Sequence, residues 1–354
     1  MAIAEPLKDS AALILDALRD RKLSDEFLQE AARLLDTLQR LRGPSLWERI
    51  FPVSHASSEA DASNVVLTSG FGWSGSSAVG DFLRDHEHVK EVFGRYEMPW
   101  FTGLRKSHVV GARNLCQAQP RERLAALSRF VLTSLLGCAG VLEGVAGSQR
   151  AVARQGLLLH FDGRKELAMA METARRLVEI IARSQPSRTP ELVGELFATL
   201  IRLAHRAPGY CLFDNSIKAH KLDDLQFLPG ARIIVVSRDP RDEFVARSLE
   251  SGLRKLPVED YVRRFIRVHR SMARKKKHVS ERQLLEVRFE DFVLDESCRM
   301  NVLDWLSLDA NMQPQRFRTE VSAANVGIHK RWENRKDIEF VSRRLREYLH
   351  PSSD

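Results

Sequence analysis

The chain has 354 residues, of which 44% are hydrophobic and 29% charged, and its formal net charge is +8. This length allows one large α/β domain or two average ones, and the apolar content suffices for a sizeable core. Such a composition excludes a collagen, a low-complexity polymer and a wholly disordered chain. The positive charge indicates an anionic partner, which could be a nucleotide, a nucleic acid, a charged polymer or a membrane surface.

The predicted elements begin with helices. Residues 9–42 repeat apolar side chains at three- and four-residue steps, Ser24 is placed to cap a second helix, and Gly43-Pro44 ends the pattern. We therefore expect an N-terminal helical region over residues 1–60. Two interpretations of its apolar stripe stay open, a hairpin packed within the chain and an element that pairs two copies into a homodimer.

A strand, a loop and a helix follow the polar linker at 54–63. Val65–Thr68 is a β-branched run, a Gly/Ser loop comes next, and a helix starts near Ala78. A second short strand is predicted at Val89–Phe93. Most of the segment up to 206 is helical in pattern, which predicts a helical insertion over about 115–206.

Three more strands are predicted at 210–213, 233–236 and 284–289, with helices at 259–278, 296–308 and 337–350. Strands that alternate with helices indicate an α/β fold with a parallel, doubly wound sheet. We assign this fold to one domain, residues 61–350, which contains the insertion. The first strand, its loop and its helix would form a P-loop-like unit within it.

The loop after the first strand has the residue types that bind phosphate. Small side chains let backbone N–H groups approach phosphate oxygens, and the following helix adds a favourable dipole. The Walker A pattern requires GK[ST], and no Lys or Arg lies between 68 and 83. An ordinary tight turn is the alternative. The candidate binding residues are Gly72, Trp73, Ser74, Gly75, Ser76 and Ser77.

A second signal, Arg238-Asp239-Pro240-Arg241-Asp242, follows the strand at 233–236. Ligands of open α/β sheets bind at the carboxyl ends of the strands. Arg238 is therefore placed to bind a phosphate in bidentate fashion. The alternative is a salt bridge from Arg238 to Asp239 or Asp242.

Together these motifs resemble the sulfotransferase superfamily. The first loop is similar to the family's 5′-phosphosulfate loop, and residues 236–242 are similar to its 3′-phosphate motif. Residues 287–292 resemble its "VRYEDL" strand, and 325–332 resemble the Gly-x-x-x-(basic)-Trp loop over the nucleotide. The motifs occur in the family's order and span about 64 to 335.

The resemblance implies a transferase that uses 3′-phosphoadenosine 5′-phosphosulfate (PAPS), needs no metal, and sulfates a hydroxyl or amine. It also implies that Gly327, Lys330 and Arg331 contact the nucleotide. Two positions depart from the family pattern. Trp73 stands where the family has Lys or Arg, and the candidate replacements are Lys218, Lys221 and Arg105. The family's serine after the 3′-phosphate arginine is Ala246 here, and Ser248 is the candidate substitute.

A catalytic base must accept the acceptor's proton. The family uses a Glu or a His above the sulfuryl group. Glu97 follows the second predicted strand, where many members have a Glu, and it is the predicted base. His108, His160 and His220 are the alternatives.

One segment carries a charge equal to the formal net charge of the whole chain. Tyr261–His278 contains five Arg, three Lys and no acid. It is either a solvated helix packed on the sheet or a surface that attracts an anionic acceptor such as a saccharide polymer. A nucleic acid is disfavoured because few aromatic residues lie among the cations.

Two competing functions remain. The first is a P-loop kinase or NTPase, which the missing GK[ST] disfavours. The second is a non-catalytic nucleotide-binding protein, which Trp73 leaves open. The four cysteines form no CxxC pair, and the N-terminus lacks a signal-peptide pattern. We therefore expect a reduced, cytoplasmic protein without a transmembrane segment.

Overall fold

The structure is a computed structural model that describes residues 6–41, 64–91, 108–138, 156–250, 256–312 and 315–351. The described residues form two compact units. The helical unit draws on Met1–Ala62, Pro99–Arg206 and Gln226–Pro229, and the α/β unit on Ser63–Met98, Ala207–Leu225 and Gly230–Asp354. The predicted N-terminal region and the predicted insertion thus contribute to the same unit, while the predicted domain boundaries stay a prediction.

Helices and strands follow the predicted order. The strands are β1 Val65–Gly70, β2 Val89–Lys90, β3 Tyr210–Asp214, β4 Arg232–Ser237 and β5 Leu284–Arg288. The helices are α1 Pro6–Arg19, α2 Asp25–Arg40, α3 Ser76–Arg84, α4 His108–Gln117, α5 Arg123–Phe130, α6 Leu167–Arg183, α7 Thr189–Ala204, α8 Pro240–Leu249, α9 Val258–Lys275, α10 Phe289–Leu294, α11 Glu296–Leu306, α12 Thr319–Ala323 and α13 Arg335–Arg344.

In the helical unit, the predicted cap at Ser24 is confirmed. The Ser24 hydroxyl accepts a hydrogen bond of 3.1 Å from the backbone N–H of Phe27, which satisfies an otherwise unpaired donor at the start of α2. The apolar stripe of α2 is buried within the unit, where α2 packs against α1 and α6. The apolar stripe is thus buried against helices of the same unit, and the homodimer stays a prediction. None of the described helices is long and apolar enough to cross a lipid bilayer.

In the α/β unit, the five strands form one parallel sheet in the order β2-β3-β1-β4-β5, which confirms the predicted fold class. The β1 strand is buried along its whole length, as expected for a central strand covered on both faces. Its side chains join those of α3, α10 and α11 in one apolar cluster. A second cluster joins α8, α9 and α13.

The strand order places the two predicted motifs side by side. The chain leaves β1 toward β2 and β3 on one side of the sheet, and it leaves β4 toward β5 on the other side. Neighbouring strands whose connections diverge in this way leave a crevice at their carboxyl ends, where ligands bind in this class of fold. The loop at 71–75 and the motif at 238–242 flank that crevice.

Candidate functional site

The loop between β1 and α3 is shaped by its own hydroxyl groups. Buried Ser74 accepts a hydrogen bond of 3.2 Å from the N–H of Phe71 through its Oγ. The hydroxyl of Ser76 donates to Oδ1 of Asn215 at 2.8 Å, which joins the loop to the end of β3. Ser77 is exposed in the first turn of α3. Of the three hydroxyls predicted to contact phosphate, two therefore have internal partners and the third faces solvent.

Gly75 is required by packing as well as by backbone conformation. Its φ is 86°, a value that L side chains rarely adopt. A Cβ at this position would lie 2.2 Å from Cδ2 of Phe289, the first residue of α10. The loop therefore packs directly on the Phe289 ring.

Arg238 joins this loop to the segment 325–332. It is buried, its Nη1 donates to the carbonyl of Trp73 at 3.2 Å, and its Nη2 donates to the carbonyl of Asn325. The guanidinium also lies 4.9 Å from the centre of the Phe289 ring. Its Nε is buried and has no hydrogen-bond partner among the described residues. Arg238 therefore holds the loop and the segment 325–332 together.

The aspartates of the motif at 238–242 do not pair with Arg238. Asp239 caps α8 by accepting from the N–H of Arg241, and it forms an ion pair of 2.9 Å with that residue's guanidinium. Asp242 accepts from the N–H groups of Gly327, at 2.7 Å, and His329, at 3.0 Å. Burial alone would raise the pKa of Asp242, but these bonds and one from the His329 ring hold it below its usual range. Asp242 thus fixes the segment 325–332 to α8.

A cavity of about 890 Å³ brings two predicted binding residues together. Ser248 and Arg331 both line it, as do the aromatic rings of Phe244 and Trp332. The indole Nε1 of Trp332 is buried and has no partner among the described residues. Arg331 is exposed and donates to the carbonyl of Ala324 at 3.0 Å, and neighbouring Lys330 is also exposed. Carboxylates contribute to the same walls, from Glu259, Glu333 and Asp337.

A cluster of arginines lies beside the loop. Arg238, Arg247 and Arg264 all act electrostatically on Glu243, whose carboxylate is buried and whose Oε2 lacks a partner among the described residues. Burial raises the pKa of Glu243 to about 8, although the three arginines oppose that shift. The guanidinium of Arg247 lies 4.5 Å from the centre of the Trp73 ring, a cation–π contact.

The basic helix α9 packs its inner face against the same loop. His269 is stacked between Phe71, at 3.8 Å between ring centres, and Phe265, at 3.9 Å. Burial lowers the pKa of His269 to about 3, so this ring is neutral. The outer cations line an open groove of about 650 Å³: Arg263, Arg267, Arg270, Arg274 and Lys277. The helix is therefore packed on the α/β unit and also presents a charged surface.

The predicted base, Glu97, lies outside the described residues, as does Arg105. His220 lies after β3, and its carbonyl accepts a hydrogen bond of 3.2 Å from the Ser271 hydroxyl of α9. Burial, together with nearby cations that include Lys221 and Lys218, lowers the pKa of His220 to about 4. Its imidazole is neutral at pH 7. His108 and His160 belong to the helical unit.

Sequence reasoning missed Glu243, Arg247, Arg264 and Phe289. A usable signal existed for Arg264, which lies three residues after Tyr261 and four before Val268, both on the apolar stripe of α9. Such a position flanks the buried face, so its side chain reaches inward. Among the described residues, no group of three or more His, Cys, Asp or Glu side chains could hold a metal ion. Independence from metal stays a prediction.

Comparison of the sequence with known protein families supports the resemblance to sulfotransferases. The sequence model described as "Sulfotransferase family" matches residues 161–311, which include the motifs at 236–242 and 287–292. This match confirms the resemblance to sulfotransferases. The loop at 71–75 and the segment 325–332 lie outside the matched residues. No curated protein matches the chain significantly.

Two solved structures are similar to the chain at low identity. The sulfotransferase domain of the Synechococcus PCC 7002 olefin synthase is 15% identical, with 81% of this chain and 95% of that chain covered and a TM-score of 0.41. The sulfotransferase STF9 of Mycobacterium avium is 13% identical, with 98% and 96% covered and a TM-score of 0.37. Scores this low support no residue-by-residue correspondence.

Replacement of Glu243 by Gln should change how stability depends on pH. The folded-state pKa of about 8 exceeds the ordinary value of 4.5, so the folded chain keeps a proton that the unfolded chain releases between these values. The contribution of Glu243 to stability is therefore complete below 4.5 and is lost as the pH rises through 8. We expect Glu243→Gln to gain stability relative to wild type between about pH 5 and about pH 9 in urea unfolding.

The matched control is Glu339→Gln, because Glu339 is exposed on α13. The difference in the free energy of unfolding between this control and wild type should not show the change with pH that we expect for Glu243→Gln. A constant difference for Glu243→Gln as well would contradict the burial of an ionisable carboxyl group in the arginine cluster.

Proposed function

We propose that the chain is a PAPS-dependent sulfotransferase that transfers a sulfuryl group to a hydroxyl or amine. One observation carries the proposal. The family match covers the motif at 236–242, and Arg238 of that motif donates to the backbone of the loop after β1, at the carboxyl ends of adjacent parallel strands. The two segments that we propose to bind the anionic groups of the donor are thus in contact at the place where this class of fold binds ligands.

The reaction itself demands little covalent chemistry from the protein. The acceptor's oxygen or nitrogen forms a bond to sulfur, the bond between sulfur and the 5′-phosphate oxygen breaks, and the acceptor's proton passes to a base. The products are the sulfated acceptor and adenosine 3′,5′-bisphosphate. Catalysis then depends on alignment of the two reactants and on positive charge placed where negative charge develops.

The cavity lined by Phe244 and Trp332 fits the nucleoside of the donor. Its volume of about 890 Å³ is within the range of small-molecule sites. Aromatic rings stack on a purine, and the unpartnered Nε1 of Trp332 is a donor for the base or ribose. Arg331 offers donors for the 3′-phosphate, whereas the Ser248 hydroxyl donates to the carbonyl of Phe244 at 2.8 Å. The carboxylates of Glu259 and Asp337 repel phosphate and suit the amino edge of adenine, which orients the nucleotide in this cavity.

Two residues are candidates for the base. Glu97 is supported by the family resemblance. His220 is supported by its neutral imidazole and by its place after β3. The segment after β3 is joined to β1, because the hydroxyl of Ser69 donates to the carbonyl of Ile217. We keep Glu97 as the proposed base and treat His220 as the competitor.

The groove along α9 supports an anionic acceptor. Five cations line it, no acid does, and Ile266 and Ala273 supply the only apolar walls among its lining residues. A row of cations along a helix suits a polymer of regularly spaced negative charges better than a compact ion. We therefore propose an acidic saccharide polymer as the acceptor class.

Nucleotide preference separates the proposed function from a kinase. In titration calorimetry, adenosine 3′,5′-bisphosphate should bind without metal and more tightly than ATP with Mg²⁺. Arg238→Ala should weaken bisphosphate binding about tenfold to a hundredfold, since it removes charge-assisted hydrogen bonds and loosens the loop. Arg343→Ala, an equal change of charge at an exposed position of α13, should have no effect.

Three outcomes would contradict this function. Tighter binding of ATP with Mg²⁺ would favour a kinase or NTPase. Bisphosphate binding without transfer of labelled sulfate to any acceptor in a cell extract would favour a non-catalytic nucleotide-binding protein. Absence of any bisphosphate binding to the wild-type chain would remove the basis of the proposal.

Substitution of the base should abolish turnover and spare binding. Glu97→Gln should bind the bisphosphate as wild type does but transfer no labelled sulfate, because no group accepts the acceptor's proton. His220→Gln, measured beside it, should retain transfer. The reverse pattern would assign the base to His220.

Charge reversal in the groove should affect the acceptor alone. Arg267→Glu combined with Arg274→Glu should raise KM for desulfated heparin several-fold and leave the bisphosphate Kd unchanged. The rise should shrink in high salt, since exposed charges are screened. A small neutral phenol is the control acceptor. An unchanged KM for the polymer, or tight binding of a single-stranded oligonucleotide in its place, would contradict the proposed acceptor class.

A further inference from the structure

The guanidinium of Arg264 has no hydrogen bond or ion pair with any residue that the structure describes. The residue is half-buried on α9. Its Nη2 lies 3.7 Å from the position that a Cβ on Gly72 would take. A cation whose donors have no partner among the described residues therefore lies directly against the loop at 71–75, next to Trp73.

The position of Arg264 is set by the packing of α9. One turn before it, the buried hydroxyl of Tyr261 donates to the carbonyl of Pro240 at 2.8 Å. Phe265, the residue directly after it, and His269 form the stack that ends on Phe71 of the loop. The helix is thus attached both to α8 and to the loop, with Arg264 between the two attachments.

The surroundings of Arg264 favour an anion. Arg238 and Arg247 add two more guanidinium groups, and like charges at short range repel each other. The carboxyl group of Glu243 is the acid on which all three arginines act, while Asp242 and Glu290 also act on Arg238. Burial raises the pKa of the Glu243 carboxyl group to about 8, so it is largely protonated at neutral pH and compensates little of this charge. An incoming phosphate or sulfate would relieve the repulsion without any rearrangement.

We propose that Arg264 binds the 5′-phosphosulfate of the donor at the Gly72–Trp73 end of the loop, and so supplies from α9 the positive charge that the loop lacks. This inference rests on the proposed function. Arg247 is a positioning residue in it, because the Trp73 ring holds its guanidinium at the edge of the loop. Trp73 itself carries no charge, but its ring provides a surface on which the guanidinium of Arg247, from α8, stacks.

Two ligands that differ only in the 5′-phosphate test this assignment. Adenosine 3′,5′-bisphosphate should bind the wild-type chain more tightly than adenosine 3′-monophosphate does. Arg264→Ala should reduce that ratio about tenfold and leave the affinity for the monophosphate nearly unchanged, since one charge-assisted contact to the 5′-phosphate is lost. Arg238→Ala should weaken both ligands. Arg343→Ala, the same change at an exposed position of α13, should change neither.

A compensating substitution distinguishes binding from a merely structural role. Trp73→Lys introduced into the Arg264→Ala variant should restore part of the lost ratio and of the sulfate transfer, because it returns a cation to the loop. Arg264→Lys should retain more of both than Arg264→Gln, which shows whether charge is the property that matters. Loss of stability alone would not respond to a lysine at position 73.

The failures of the two proposals are distinguishable. If the wild-type chain binds the bisphosphate and a folded Arg264→Ala variant keeps the full ratio, the role of Arg264 is wrong and the proposed function stands. If the wild-type chain does not bind the bisphosphate, the proposed function is wrong. Absence of rescue by Trp73→Lys, with Arg264→Lys no better than Arg264→Gln, would also overturn the assignment.

Discussion

The buried guanidinium of Arg238 connects the parts of the site that lie far apart in the sequence. It donates to the loop after β1 through Trp73 and to the segment 325–332 through Asn325. Both acceptors are backbone carbonyls, so the connection is independent of the side chains at positions 73 and 325. This independence explains how a tryptophan is accommodated in a loop that the family normally provides with a cation. The geometry of the loop depends on Arg238, whereas its charge can come from elsewhere.

Charge in this molecule is organised by helix face. The five Arg and three Lys of Tyr261–His278, most of which lie on α9, carry a charge equal to the net charge of the whole chain. The structure divides them. Arg264 lies against the loop, while Arg267 and Arg274 line the open groove. One element can therefore contribute to two anionic ligands, because the side chains of a helix project in different directions around its axis.

The strands and the loop between β1 and α3 could be predicted from the sequence because their signals are local. The β-branched runs of β1 and β4 are continuous, and the small residues before α3 occur in a single segment. The partners of Arg238 could not be predicted, because proximity in sequence favoured Asp239 and Asp242, whereas packing gave those carboxylates to Arg241 and His329. The contact of Arg264 with Gly72 depends on how a whole helix docks, which no local pattern encodes.

Burial of a carboxyl group among three arginines costs free energy if that group is ionised. It would serve no purpose if the arginines bound nothing. Glu243 has one unpartnered oxygen, and Arg247 and Arg264 gain no ion pair from it in the described structure. An isolated structural role would be met better by an apolar residue that fills the same volume. The arrangement is reasonable if the arginines must stay close together without being neutralised. A protonated Glu243 fills the space between them, and the compensating charge is left to a ligand at the loop.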